Sequence, residues 1–339
     1  MNIQEAIARV MTRNDLSQDE ARQVMDRIMS GKTTDAQIGA YLVALRMKGE
    51  SVEEIAGSAQ AMRQKAVTVR APGRVIDTCG TGGDASGTFN ISTTVAFVVA
   101  ACGVTVAKHG NRSISSKSGS ADLLRALGVN IDADVPTVER CLAEAGVGFL
   151  FAPRHHGAMR HALGPRQEIA VRTLFNLLGP LTNPAGASCQ LIGVFDGAWV
   201  EPMAQVLGRL GSHRALVVHG ADGLDEITLT GPTHVAELSP SGGVGTYSIA
   251  PEPFGLTAAP LAALQGGDAE VNAAITRAVL DGEQGPRRDI VVLNAAAALY
   301  IAGYAGSITE GVKVAQGAID SGQAREKLRH LVQLSNGHA

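Results

Sequence analysis

The sequence predicts an α/β protein, with a small all-helical domain beside a larger domain built on a mainly parallel central sheet. Residues 1–70 carry apolar side chains at helical spacing and contain no strand pattern. From residue 71 onward, short apolar runs alternate with helical patterns, as in parallel βαβ units. The 40 glycines lie mostly in short clusters between apolar runs, which indicates many tight turns.

The N-terminal region shows two capping boxes, Ser17 with Glu20 and Ser51 with Glu54, which mark helix starts. The interval 165–178 is again helical and amphipathic. We therefore expect a helical domain over residues 1–70 that is completed by residues 165–185. The α/β domain then comprises residues 71–164 and 186–339.

In the α/β region, five short apolar runs predict buried strands separated by helices. The predicted strands cover residues 75–77, 104–107, 147–152, 190–195 and 215–219, and the predicted helices cover residues 92–101, 121–127, 137–145 and 201–210. A less regular β segment near 228–250 follows, and then helices across 270–335.

Composition excludes several classes of protein. A chain of 339 residues suggests about two domains. Its net charge of −3 argues against a general nucleic-acid binder and against a binder of anionic membranes. The four cysteines show no metal-ligand spacing, so we expect reduced thiols. The longest apolar run, 95–106, is too short to span a bilayer, and no secretory signal is visible, so we expect a cytoplasmic protein.

A glycine-rich loop, 77–84, joins the first predicted strand to the first predicted helix of the α/β region. Its glycines let the backbone turn amides toward a ligand, and the helix start adds a positive end, so the loop suits a phosphate or pyrophosphate. A capped tight turn, with Asn90 and Ser92 as N-cap candidates, explains the same pattern. The loop lacks the Walker A ending. Lys108-His109 stands where a dinucleotide fingerprint would place an acidic residue.

The second predicted strand ends in a polar loop, 108–120, that contains cations, hydroxyls and one large apolar side chain. Loops at the carboxyl ends of parallel strands share one crevice, so this loop and the glycine loop can bind the same anion. Taken alone, the loop also fits a solvated serine-rich segment.

Asp225-Glu226 follows the strand 215–219, and Gly223 permits the irregular backbone that convergence of both carboxylates requires. One or two carboxylates are what Mg²⁺ prefers beside phosphates. Asp84 is a weaker alternative ligand, and a surface turn is the alternative explanation of the pair.

Histidines and arginines cluster in 154–161, where exposed positions on a helix surface are the simpler expectation and zinc lacks further ligands. Arg166 could pair bidentately with a carboxylate, although a lone arginine is usually a surface residue.

Together these motifs resemble the anthranilate phosphoribosyltransferase family over nearly the whole chain. The runs that carry the resemblance are 77–84, 88–93, 108–116, 174–184 and 223–226. The resemblance implies a nucleoside phosphorylase/phosphoribosyltransferase-like fold and a homodimer formed through the helical domain. It also implies transfer of the phosphoribosyl group of phosphoribosyl pyrophosphate to the amine of anthranilate, in tryptophan biosynthesis.

The resemblance further implies site residues. Anthranilate would contact Gly80, Asn111 and Arg166, with His155 near its path. Mg²⁺ would be held by Ser92, Asp225 and Glu226. The phosphoribosyl donor would be held by Gly80, Gly83, Asp84, Thr88, Asn90, Ile91, Ser92, Thr93, Lys108, His109, Gly110, Asn111, Arg112, Ser113, Ile114, Ser115, Ser116 and Ser120. No general base is assigned, because an aryl amine is already a free base at neutral pH.

Two alternatives remain open at this point. A pyrimidine nucleoside phosphorylase shares the architecture, but its Lys-His-Ser-Thr-Gly-Gly loop is absent here. A non-enzymatic nucleic-acid-binding relative would have a basic surface and a degraded acidic pair, whereas this chain is acidic overall and keeps the pair.

Overall fold

A computed structural model describes residues 1–113 and 117–337. Within these residues, one sheet of seven strands has the order β3-β2-β1-β4-β5-β6-β7. The strands are β1 Val75–Gly80, β2 Thr105–Gly110, β3 Val147–Phe151, β4 Cys189–Gly193, β5 Arg214–Gly220, β6 Thr233–Leu238 and β7 Val244–Ile249. Strands β1 to β5 pair in parallel, and β6 and β7 add antiparallel edge strands. The predicted α/β class and mainly parallel sheet are confirmed.

Helices surround this sheet and form a separate layer at the N-terminus. They are α1 Ile3–Met11, α2 Gln18–Met29, α3 Asp35–Lys48, α4 Val52–Lys65, α5 Ile91–Ala101, α6 Ser120–Ala126, α7 Val135–Arg140, α8 Ala152–His155, α9 Arg160–Ile169, α10 Phe175–Leu178, α11 Val200–Arg209, α12 Ala269–Leu280, α13 Pro286–Ala302, α14 Ile308–Asp320 and α15 Gln323–Ser335. In the part of the chain that is described, none of them is both long and apolar enough to cross a membrane.

The sheet is buried on both faces, because alternate side chains of its central strands enter different cores. Leu191, Leu216 and Val218 pack with α5 and α13 in one core. Ile192 and Val217 pack in a second core, which also contains the N-terminal helices and α11. This alternation follows from the two-residue period of a strand, and it explains why the strands read as continuous apolar runs.

The N-terminal helices begin at four reciprocal capping boxes, including the two predicted at Ser17 and Ser51. The second of these includes a buried charge. Glu54 is fully buried and accepts hydrogen bonds from the Ser51 and Leu16 amides at 2.8 and 3.0 Å. The Lys48 ammonium, 2.9 Å away, neutralises it. The Glu54 carboxylate therefore joins the start of α4, the end of α3 and the loop before α2.

The predicted helical interval 165–178 is interrupted, so the expectation of one helix is wrong in detail. Helix α9 ends at Ala170, whose φ of +53° is left-handed, and α10 starts only at Phe175. Both pieces contact the N-terminal helices, α9 against α3 and α10 against α4. The proposed domain boundaries stay a prediction. The β segment near 228–250 is more regular than expected, because β6 and β7 form a paired hairpin.

We predict that Glu54→Ala lowers the free energy of unfolding by about 3–5 kcal/mol, because it leaves two amides without an acceptor and removes one of the two carboxylates that pair with the buried Lys48 ammonium. Denaturant unfolding measures this change. The matched control is Glu53→Ala, which removes the exposed pair with Arg209 and should cost about 0–1 kcal/mol. Equal losses in the two variants would contradict the assignment of Glu54.

Candidate active site at the carboxyl edge of the sheet

The order of the strands creates a crevice between β1 and β4. From β1 the chain proceeds to β2 and β3 on one side, and β4 and β5 lie on the other side. The connections therefore leave in opposite directions, and open α/β sheets bind ligands at such a switch point, beyond the carboxyl ends of the strands. The glycine loop leaves β1 here, and the polar loop leaves β2 beside it.

The segment after β5 crosses the ends of β1 and β4 at very close range. A Cβ atom on Gly193 would overlap the carbonyl oxygen of Asp225, so only glycine fits there. The segment is irregular rather than a strand, as convergence of the two carboxylates requires. The crossing places Asp225 and Glu226 directly over the glycine loop.

Each carboxylate of the acidic pair accepts a hydrogen bond from a backbone amide. Asp225 Oδ2 accepts from Gly82 N at 3.0 Å, and Glu226 Oε1 accepts from Ser92 N, in the first turn of α5, at 3.0 Å. Burial raises the pKa of both carboxyl groups. A neighbouring negative charge raises each pKa further, Asp84 for Asp225 and Asp225 for Glu226. The three acidic side chains thus lie close enough that the negative charge of one disfavours ionisation of the next.

A buried cation stands next to this charge. Lys108 is 4% exposed, and its Nζ donates to the Thr78 carbonyl at 2.6 Å and to Ser92 Oγ at 3.4 Å. Its positive charge opposes the rise in the pKa of Glu226. Ser92, Lys108 and the acidic pair therefore lie together, as the resemblance implies.

A second buried carboxylate fixes the base of the polar loop. Asp77 accepts from His109 N at 3.3 Å and from Asn183 Nδ2 at 2.8 Å. Burial raises its pKa to about 6. Asn183 also donates to the Ala107 carbonyl at 2.8 Å, so it ties β1 to β2 just before the loop. The motif patterns gave Asn183 no role, although it lies in the run 174–184 that carries the resemblance.

The two ends of the polar loop are held together. Ser120 Oγ donates to the Asn111 carbonyl at 3.2 Å, and the Ser113 and Gly119 amides both donate to Asp122, at 3.2 and 2.9 Å. Arg112 lies over the ring of Phe151, with 5.9 Å from its Cζ to the ring centroid. The predicted ligands Ile114, Ser115 and Ser116 lie outside the described residues.

The other predicted donor-binding residues lie around the glycine loop and the start of α5. Gly80 ends β1, Gly110 ends β2, and Ile91 and Thr93 are buried in the first turn of α5. Asn90 takes the N-cap position but makes no side-chain cap there. Thr88 forms a bridge with Gln265, which lies far along the chain.

His155 and His156 are buried, so the expectation that they are exposed on a helix surface is wrong for these two, whereas His161 is half-buried. His155 and His156 are 3% and 8% exposed, because their segment packs against Met29 and Met62 and pairs with the linker at Val67. His155 Nδ1 lies 3.0 Å from the Val67 carbonyl, and burial lowers the pKa of His155.

His156 faces His109 across the base of the polar loop, with 5.1 Å between the ring centroids. Burial lowers the pKa of His109 to about 3 and that of His156 to about 4, and neighbouring histidines contribute to both shifts. Both rings are therefore neutral near pH 7. Within the described residues, Nε2 of each ring is buried and has no hydrogen-bond partner.

Of two arginines in the α9–α10 region, Arg172 contacts the glycine loop, whereas the described contact of Arg166 lies within the region itself. Arg166 lies over the ring of Phe175 at 4.9 Å, and burial lowers its pKa. Arg172 donates to the carbonyl of Gly83 in the glycine loop and stacks over Phe195 at 4.2 Å. The sequence patterns do not single out Arg172, because its partners are distant in the chain.

We predict that the double substitution Asp225→Asn and Glu226→Gln stabilises the fold at pH 8, by about 1–3 kcal/mol, and has little effect near pH 4. A carboxyl group whose pKa is raised by folding favours the folded state when protonated. The stability of the fold therefore decreases as the pH rises from the pKa of the carboxyl group in the unfolded protein, about 4, toward its pKa in the folded protein. Denaturant unfolding from pH 4 to pH 8 measures the difference.

The exposed change Glu201→Gln serves as the control for that series. A double variant that is less stable than the natural protein at pH 8 would contradict the pKa assignments.

Comparison with known proteins agrees with this geometry. Residues 4–66 match the helical bundle domain of a glycosyl transferase family, and residues 72–325 match the a/b domain of the same family. An anthranilate phosphoribosyltransferase of Thioalkalivibrio sulfidiphilus is 58% identical over 99% of both chains. One from Geobacter sulfurreducens is 54% identical over 98% of this chain and 99% of the relative.

Solved structures show the same fold. The anthranilate phosphoribosyltransferase of Thermus thermophilus superposes with a TM-score of 0.93 at 47% identity, covering 98% of this chain and 99% of that one. The Saccharomyces cerevisiae enzyme, in complex with PRPP and Mg, gives a TM-score of 0.90 at 27% identity, covering 98% of each chain. The comparisons thus favour the transferase over the phosphorylase and the nucleic-acid-binding alternatives. With the sheet, the crevice and these relatives in agreement, this chain belongs to the anthranilate phosphoribosyltransferase family of enzymes.

Proposed function

We propose that the crevice binds phosphoribosyl pyrophosphate and passes its phosphoribosyl group to the amine of anthranilate. The products are N-(5-phosphoribosyl)anthranilate and pyrophosphate, and the reaction belongs to tryptophan biosynthesis. One observation carries the proposal: the glycine loop, the start of α5, Lys108 and the acidic pair meet at the switch point of the sheet. The identity with relatives of that name over nearly the full length supports it.

The donor is held by the glycine loop, the start of α5 and the polar loop, through the eighteen residues that the resemblance implies. The positive end of α5 attracts a pyrophosphate. Lys108 brings a cation that is already oriented by the Thr78 carbonyl. These groups stabilise the negative charge that grows on the departing pyrophosphate, while the fold keeps them in place before the reaction.

The residues that would hold magnesium are Ser92, Asp225 and Glu226. In the described parts of the chain, no cage of three or more His, Cys, Asp or Glu side chains is present. Two carboxylates and one hydroxyl fit Mg²⁺, which binds through one or two carboxylates and takes its other ligands from substrate phosphates and water. The raised pKa values of the acidic pair fit a partly buried site that needs a cation. When bound, magnesium would neutralise part of the pyrophosphate charge.

Anthranilate is held by Gly80, Asn111 and Arg166, and His155 lies along its path. A guanidinium can bind the anthranilate carboxylate bidentately. The neutral rings of His109 and His156 add free Nε2 atoms near the base of the polar loop. The aryl amine attacks C1 of the ribose from the face opposite the pyrophosphate, the bond from C1 to the pyrophosphate oxygen breaks, and the new secondary amine releases one proton to water; we assign no general base. Positioning of the two substrates supplies much of the rate.

The test is an assay that follows the loss of anthranilate fluorescence after mixing with phosphoribosyl pyrophosphate, Mg²⁺ and the protein. We expect a steady decrease that depends on all three components. A constant signal at high protein concentration would refute the proposed reaction.

A sharper prediction concerns the same assay with Asp225→Asn and Glu226→Gln together. We expect turnover to fall by about 100-fold or more and the magnesium requirement to rise, because the charge that holds the metal is removed. Circular dichroism should show an intact fold. A variant with the natural dependence on magnesium would remove the pair from the site.

We also propose a homodimer formed through the helical domain. Helix α3 packs against α1 and against α9, and each of these three helices exposes a large apolar side chain: Met11 at 71%, Met47 at 77% and Leu163 at 52%. Burial of such side chains favours association. The four free cysteine thiols support a reducing compartment, and we propose the cytoplasm.

Sedimentation tests the dimer. The natural chain should sediment as a dimer at micromolar concentration, and Met11→Glu with Met47→Glu should shift it toward monomer. The control is Val271→Glu, which charges an exposed apolar residue of α12, 48% exposed. A monomeric natural chain would contradict the proposal.

A further inference from the structure

A segment just before α12 lies along residues 86–89, which join the glycine loop to α5. We call residues 264–267 the strap. Phe89 N donates to the Leu264 carbonyl at 3.2 Å, and Gly266 N donates to the Gly87 carbonyl at 2.9 Å. Thr88 forms a bridge with Gln265, whose side chain also donates to the Ser86 carbonyl. The strap, about 180 residues away in the chain, therefore supports the connection between the glycine loop and α5.

Asn272, in α12, connects the strap to the start of α5. The side chain is 2% exposed and uses both ends of its amide. Its Oδ1 accepts from Gly267 N at 2.8 Å, and its Nδ2 donates to Asn90 Oδ1 at 3.0 Å. Because the strap amide can only donate, the orientation of the Asn272 amide is fixed.

This orientation helps to set that of Asn90. Asn90 Oδ1 accepts from Asn272 Nδ2 at 3.0 Å and from Ser118 Oγ at 3.3 Å, so two donors hold the acceptor end of its amide. Asn90 Nδ2 then faces the polar loop and donates to the Ser118 carbonyl at 3.1 Å. Two successive amides thus join the strap, the start of α5 and the end of the polar loop.

We infer that Asn272 is a positioning residue for the phosphoribosyl donor and acts through Asn90. The inference rests on the proposed function, because both segments that Asn90 joins belong to the proposed donor site. Asn90 holds the start of α5 and the end of the polar loop at a fixed separation. The entropy lost by these two segments when the donor binds is therefore small. Loss of the relay should therefore weaken donor binding specifically.

The primary test is Asn272→Asp. This change keeps an acceptor for Gly267 N and removes the donor to Asn90, whose amide can then turn away from Ser118. Titration calorimetry with phosphoribosyl pyrophosphate and Mg²⁺ should show a dissociation constant raised about tenfold, as expected for one lost hydrogen bond. The KM for anthranilate should stay within about twofold of the natural value, since the change acts on the donor site.

Thr276→Val is the matched control. Thr276 Oγ1 lies 3.1 Å from Thr94 Oγ1, so this pair also joins α12 to α5. Thr94 Oγ1 contacts the backbone carbonyl of Asn90 and not its side-chain amide, so the control leaves the relay of amides intact. We expect a lower melting temperature and unchanged donor affinity. Equal losses of affinity in Asn272→Asp and Thr276→Val would overturn the inference, because general loosening of α12 would explain both.

Gly266→Ala tests the same relay if Asn272→Asp does not fold. A Cβ on Gly266 would lie 2.5 Å from Asn272 Oδ1 and 2.7 Å from Phe89 N, so it pushes the strap away from both. Donor affinity should again fall. Natural affinity in either folded variant refutes the role of Asn272. Absence of donor binding by the natural protein refutes the proposed function instead.

Discussion

The site depends on the close crossing of the chain at Asp225 over the ends of β1 and β4. The contact leaves no space for a side chain on Gly193, and it determines where both carboxylates fall. One carboxylate meets the glycine loop at Gly82, and the next meets the start of α5 at Ser92. A single backbone position therefore sets the spacing of sheet, loop and helix at the point where a phosphorylated ligand would bind.

The burial of Asp225 and Glu226 beside Asp84 lowers the stability of the folded state. Two adjacent carboxylates lose water and stand near Asp84, and one buried ammonium, Lys108, offsets only part of the charge. Amides of the loop and the helix start provide further compensation. The cost in stability is what we expect of a site that, as proposed, binds a cation and a phosphorylated ligand.

Much of the fold could be predicted from the sequence, because its signals are local. Parallel strands that are buried on both faces give continuous apolar runs. Each capping box joins two residues that are close in the chain, Ser17 with Glu20 and Ser51 with Glu54. The glycine loop, the polar loop and the acidic pair could be placed together because the strands are parallel. Their convergence at Ser92 follows from that topology.

The remaining features depend on contacts between distant residues, which a sequence pattern does not contain. His155 and His156 look like surface residues until the linker at Val67 and the methionines of two helices cover them. Arg172 reaches Gly83, and Asn272 reaches Asn90, across about 90 and 180 residues of chain. The break in the interval 165–178 has a similar origin, since the left-handed Ala170 redirects the chain from one packing surface to another.

The reversal of strand order between β1 and β4 has a consequence for how such proteins diverge. The crevice exists because neighbouring connections leave the sheet in opposite directions, so it is a property of connectivity and precedes any choice of side chain. The glycine loop and the polar loop can change in sequence while the crevice itself persists. Proteins with this topology can therefore come to bind different substrates at the same place in the fold.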